Sequence, residues 1–125
     1  MTALYQGGGA PPRRDARARR RAHFEARLVE ATDLRLGEST FNVSKLAEGL
    51  EMSMRTLQLR MQKLALPTPA TWLRGRRLER GRRLLEDHTY ETVGEIAAAV
   101  GMSPSYFSRA FRVHAGVCPS ELLKY

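Results

Sequence analysis

Apolar residues recur at helical spacing along most of this chain, with Gly, Pro, Ser and Thr marking the breaks. From about Ala18 to Leu36, Phe24, Leu28 and Ala31 stand four and three apart, predicting a helix that stops at Gly37. Its Phe24/Leu28 edge is expected to pack on the pair of helices after it. The first of that pair is short, Lys45 to Leu50, with Ser44 as N-cap, and the second starts after Ser53 and runs to about Leu64. Leu57, Met61, Leu64 and the stem of Arg60 lie toward the core of that second helix, and Pro67 and Pro69 close the unit. A long helix from about Ala70 to Asp87 then carries Leu73, Leu84, Ala70, Gly81, Leu85 and Leu78 on one arc of about 140° at 100° per residue. After Thr92, a helix from Val93 to Val100 leads into Gly101, suited to a left-handed turn. Ser103 and Pro104 form an N-cap/N1 pair for a helix running to about His114 and ending at Gly116, with Phe107, Ala110 and Phe111 inward. Every element is helical, so the fold class is all-α.

The two helix pairs are copies of one another. Aligned without gaps, residues 43–69 and 93–119 share Val43/Val93, Ala47/Ala97, Met52/Met102, Ser53/Ser103, Ala65/Ala115 and Pro69/Pro119. Apolar type survives at Leu46/Ile96, Leu50/Val100, Leu57/Phe107 and Met61/Phe111. The matches fall where two helices must cross and turn, so each copy reads as a helix-turn-helix unit. The position of Gly101 is held by Glu51 in the first copy, so either that turn has another shape or Glu51 carries strain.

The charge balance points to a polyanion. There are 21 Lys+Arg against 13 Asp+Glu, a net charge of +8, and nucleic acid suits this better than a membrane or an acidic protein. Arginine dominates the cations, and its planar fork matches phosphate and guanine. Cys118 stands alone, so no intramolecular disulfide can form, which fits a reducing, cytoplasmic setting. No apolar run reaches the roughly 18 residues that span a bilayer, and no signal-peptide pattern opens the chain.

Residues 1–20, with Gly7, Gly8, Gly9, Pro11, Pro12 and an arginine cluster from Arg13 to Arg21, read as a disordered tail or linker. The cluster fits a solvated linker or the frayed start of a helix better than an arm adding phosphate contacts. Residues 21–125 form the domain: a first unit over 24–69, a linker helix over 70–87 and a second unit over 90–123.

Taken together, Ile96, Ala97, Gly101 through Phe111, Gly116, Pro119 and Ser120 resemble the signature of AraC/XylS-type transcriptional regulators. Leu46, Ala47 and Ser53 through Gln58 resemble that family's other helix-turn-helix, and Arg77, Leu78, Leu84 and Leu85 its linker. The resemblance implies about seven helices, with each recognition helix in a major-groove segment, the two about 34 Å apart along one face of the duplex. It also implies a bacterial regulator of promoter DNA, usually an activator that contacts RNA polymerase. Many members carry an N-terminal effector-binding or dimerisation domain. This chain is therefore either a stand-alone member or the DNA-binding part of a longer regulator, and the linker-like tail favours the second. In one departure, the arginine that usually stands two residues after the first recognition helix's leucine is replaced by Leu59, with Arg60 beside it. Either Arg60 substitutes with a shifted reach or one base contact is missing.

The outward residues of the recognition helices are the candidate DNA readers: Met54, Arg55, Gln58 and Gln62 in the first, Ser105, Ser108, Arg109 and Arg112 in the second. Arg109 is best suited to a bidentate contact with guanine and Gln58 to adenine, with Arg112 a phosphate contact. Ser44 and Thr92, as N-caps, are secondary candidates for phosphate. Arg77 falls inside the apolar arc of the linker, so it is expected to be structural, with an acidic or carbonyl partner. Arg76, Arg80 and Arg83 are assigned to the opposite side. Trp72 faces away from the arc and is expected to cover the first unit.

Enzymatic chemistry has no support here. His23, His88 and His114 lack metal-site spacing with Cys118, and no phosphate-cradling glycine loop occurs, so neither metal nor cofactor is expected. The competing reading is a helix-turn-helix module that binds protein without sequence-specific DNA binding. Salt dependence separates the two, because phosphate contacts release counterions.

Overall fold

The computed structural model describes residues 13–123, so the glycine and proline part of the expected tail, and residues 124–125, lie outside the described residues. Seven α-helices make up the regular structure there, with one 3-10 turn: α1 Arg13–Thr32, the 3-10 turn Asp33–Arg35, α2 Val43–Gly49, α3 Met54–Lys63, α4 Pro69–Glu86, α5 Val93–Ala99, α6 Pro104–Ala115 and α7 Pro119–Leu123. Among those residues no strand forms and no helix is long and apolar enough to cross a membrane.

Local chemistry explains most boundaries. Ser53 and Ser103 cap α3 and α6 by accepting from the backbone N–H of Thr56 (3.1 Å) and Tyr106 (3.3 Å). Thr68 caps α4, whose first residue is Pro69, so that proline opens the linker rather than closing the unit before it. The cap of α2 is Asn42, whose Oδ1 accepts from Lys45 N at 3.0 Å, and not Ser44, which sits exposed inside the helix. The α-helical part of α1 ends at Thr32, ahead of Gly37. Gly37 serves close approach instead: a Cβ there would stand 3.1 Å from Ala99 O.

Two cores share one helix. Phe24, Leu28, Phe41, Leu46, Leu57 and Met61 bury against Leu73, with half-buried Trp72 packed on them. Ile96, Val100, Phe107 and Phe111 bury against Leu78 and Leu85. The apolar stripe of α4 is thus divided between the units, and its rigid rod sets their spacing. Ala70, expected on that stripe, is exposed. Arg76 is not on the far side. Its guanidinium makes a two-pronged bond to Asp33 (Nε–Oδ1 3.0 Å, Nη2–Oδ2 2.9 Å), and Arg80 and Arg83 line the same cleft. These arginines flank the Leu73 edge of the stripe, where the 3-10 turn comes close to α4.

Candidate nucleic-acid interface

A helix-turn-helix works only if its turn aims the second helix, and here both turns are built alike. In the first unit Met52 N bonds Ala47 O (3.0 Å) and Glu51 N bonds Glu48 O (2.9 Å). In the second, Met102 N bonds Ala97 O (2.9 Å) and Gly101 N bonds Ala98 O (3.0 Å). Each is a Schellman closure with one left-handed residue, Glu51 at φ 59° and Gly101 at φ 75°. The first turn therefore keeps the shared shape, and Glu51 carries the strain.

Crowding explains why only one copy has glycine. A Cβ on Gly101 would stand 2.7 Å from Leu36 O and 3.2 Å from both Glu38 O and the Arg77 guanidinium. Glu51 is exposed, so its side chain meets no such wall. The second turn is pressed against the loop that enters the first unit, and Arg77 fills the seam. From α4 its Nη2 donates to Glu38 O (2.9 Å) and Phe41 O (3.0 Å). Burial pushes the guanidinium below its ordinary pKa, and its buried Nε has no partner. The arginine stays cationic at neutral pH, with its charge answered by carbonyl dipoles.

With the units held this way, α3 presents Met54, Arg55, Gln58 and Gln62 to solvent. α6 presents Ser105, Arg109 and Arg112, while Ser108 is half-buried. Arg109 Nε reaches its own helix at Ser105 O over a long 3.4 Å, which leaves the outer fork open. Among the described residues, no carboxylate lies within 4.0 Å of Arg55, Arg109 or Arg112. Leu59, which aligns with Arg109, is 42% exposed. Arg60, beside it, is exposed and lines a groove together with residues of α1. The Thr92 hydroxyl is engaged on both sides by Glu95, accepting from its N–H (3.1 Å) and donating to its Oε1 (3.1 Å). That leaves no hydroxyl donor there for a phosphate. Among the described residues, no group of three or more His, Cys, Asp or Glu is placed to hold a metal ion.

Comparison with known proteins gives the same picture. The family model described as a helix-turn-helix domain matches residues 46–125, more than half the chain. The chain belongs to the AraC-type family of helix-turn-helix DNA-binding regulators. It is 33% identical over 85 residues to the HTH-type transcriptional regulator CdhR of Pseudomonas aeruginosa, a match covering 67% of this chain and 25% of that protein. The chain thus spans about a quarter of the length of that curated relative. Solved structures are similar too, two of them as follows. One is a transcriptional regulator of the AraC-type DNA-binding class from Chromobacterium violaceum, with TM-score 0.67, 26% identity, 82% of this chain and 93% of that one. The other is the DNA-binding domain of AdpA, a global transcriptional factor solved with a target DNA, with TM-score 0.65, 34% identity, 75% of this chain and 86% of that one.

Neither the cap of α2 nor the position of Arg60 is legible in the helical spacing. Asn42 carries the ordinary N-cap signal two residues before Ser44. Nothing in the spacing of α3 says that α1 will lie beside Arg60.

Proposed function

We propose that this chain reads promoter DNA with both recognition helices, α3 and α6 entering two major-groove segments about one helical turn, roughly 34 Å, apart. The observation that carries this reading is the pairing of two equivalent capped turns with outward faces whose arginines have no carboxylate partner among the described residues. In the second unit Arg109 takes a guanine through its open fork, Ser105 and Ser108 approach neighbouring base edges and Arg112 holds phosphate. In the first unit Arg55, Gln58 and Gln62 supply polar contacts. Met54 and Leu59 offer apolar surface of the kind that meets a thymine methyl. Arg77 is the structural arginine that fixes the angle between the units.

The regulatory output is tied to the same placement. In this reading the domain, seated on a promoter, activates transcription by touching RNA polymerase, acting either alone or under an effector-binding or dimerisation domain N-terminal to this chain. The AdpA domain, similar over three quarters of this chain and solved with a target DNA, supports the DNA reading.

Selection from a randomised duplex pool at physiological salt tests it. Two preferred blocks one turn apart are the expected result. One block alone would confine base reading to a single unit. No enrichment, together with affinity insensitive to salt, would favour a protein-interaction module instead.

A further inference from the structure

The arginines sort into two kinds. Arg21, Arg35, Arg76 and Arg82 each pair with a carboxylate, and Arg77 with carbonyls. Another set gathers in one place. An open groove of about 700 Å³ between the N-terminal half of α1 and the C-terminal half of α3 is lined by Arg17, Arg19, Arg20, Arg27, Arg60 and Lys63, and by no acidic residue. None of these six has a carboxylate within 4.0 Å among the described residues. Phe24 and Leu64 contribute its apolar lining, and Arg27 stacks over the Phe24 ring at 5.9 Å. Arg17 donates to Lys63 O at 2.7 Å, which pins α1 to the end of α3.

We infer that this groove is a seat for the sugar–phosphate backbone of the duplex, separate from the base-reading faces, and this rests on the DNA reading above. Six like charges held side by side repel one another, and a row of phosphates relieves that repulsion. Five of the six are arginines, whose fork matches phosphate oxygens. The location favours DNA over an acidic protein. Arg60 and Lys63 belong to the same helix as Arg55, Gln58 and Gln62, so a helix seated in the major groove brings its flanking strand to α1. Arg17, Arg19 and Arg20, expected from sequence to belong to a disordered tail as a solvated linker or a frayed helix start, lie within α1 and are in this account a working part of the interface. The Leu59–Arg60 departure gains a reason too, since Arg60 serves the backbone rather than a base.

The test replaces three exposed groove cations, Arg19→Ala, Arg20→Ala and Arg60→Ala together, and compares them with Arg→Lys at the same positions. Duplex affinity is measured across a salt series, with hydroxyl-radical footprinting and pool selection alongside. The slope of log affinity against log salt should fall by roughly 0.9 for each phosphate contact removed, so by about 2 to 3 in the triple Ala variant. Protection should disappear from the backbone beside the first unit's half of the site, while the selected sequence stays the same. The lysine variant should keep most of the slope. A wild-type slope and footprint in the triple Ala variant would overturn the groove assignment while leaving the DNA reading intact, as expected if the groove seats an acidic protein. A changed base preference would overturn it by making the groove part of base reading. A wild-type protein without salt-dependent duplex binding would overturn both.

Discussion

Gly75→Ala and Gly81→Ala add the same methyl group to the same helix, with opposite expected outcomes. Both glycines lie within α4, where Ala is favoured over Gly by about 0.8–1.0 kcal/mol. At Gly75 a Cβ meets nothing within 4 Å, so the variant should be more stable by about that amount. At Gly81 it would stand 2.6 Å from Phe107 Cε1 and 2.8 Å from Phe107 Cζ. Carbon atoms pack at about 3.5–4.0 Å, so the ring must retreat by about 1 Å. Phe107 cannot retreat alone. It is fully buried, with its centroid 5.5 Å from that of Phe111, so α6 must move with it. Overpacking of this kind costs about 1–3 kcal/mol. After the propensity gain, Gly81→Ala should range from about neutral to 2 kcal/mol less stable. The difference between the two variants is the informative quantity, because the propensity and unfolded-state contributions are shared and cancel. Urea unfolding followed by circular dichroism measures it, with an unchanged m-value confirming that the same surface is exposed. If Gly81→Ala proved as stabilising as Gly75→Ala, the close approach of α4 to α6 would be refuted, and with it the packing that seats the second recognition helix.

The remaining predictions concern the turns, the seam and the bases. Glu51→Gly should raise stability by about 0.5–1 kcal/mol in a denaturant melt, since a left-handed residue costs about 1–2 kcal/mol and glycine returns part of that through unfolded-state entropy. Gly101→Ala should instead destabilise by about 2–4 kcal/mol, because it adds the positive φ penalty to a backbone oxygen 2.7 Å away; equal effects at the two turns would sink the crowding argument. Arg77→Met should lower unfolding stability by about 1.5–3 kcal/mol by stranding Glu38 O and Phe41 O, and a neutral result would mean that water replaces the guanidinium. Arg109→Ala should relax preference at one base pair by about 1–3 kcal/mol in pool selection, and an unchanged motif would remove Arg109 from base reading.

Sequence alone determined what depends on local chemistry and periodicity. The Ser53, Ser103 and Thr92 caps, the Pro104 start, and the inward set Leu57, Met61, Phe107 and Phe111 lie where spacing placed them, because a capped helix with an apolar stripe has one way to bury it. The repeat placed a turn at the same point in both copies but left the shape of the Glu51 turn open, and the hydrogen bonds are common to both copies. What periodicity lacks is knowledge of the neighbour on each side. A helical wheel points Arg76 outward because it knows nothing of Asp33, forty-three residues earlier in the chain. Ser44 and Asn42 both carry capping side chains, and only the entry of the chain from Phe41 chooses between them. The need for Gly at 101 but not at 51 depends on Leu36 O approaching one turn while Glu51 stands exposed at the other. The basic groove exists only because α1 folds back beside α3. Local rules act within about one helical turn, whereas these features are contacts across dozens of residues, and only the packed chain decides which of them meet.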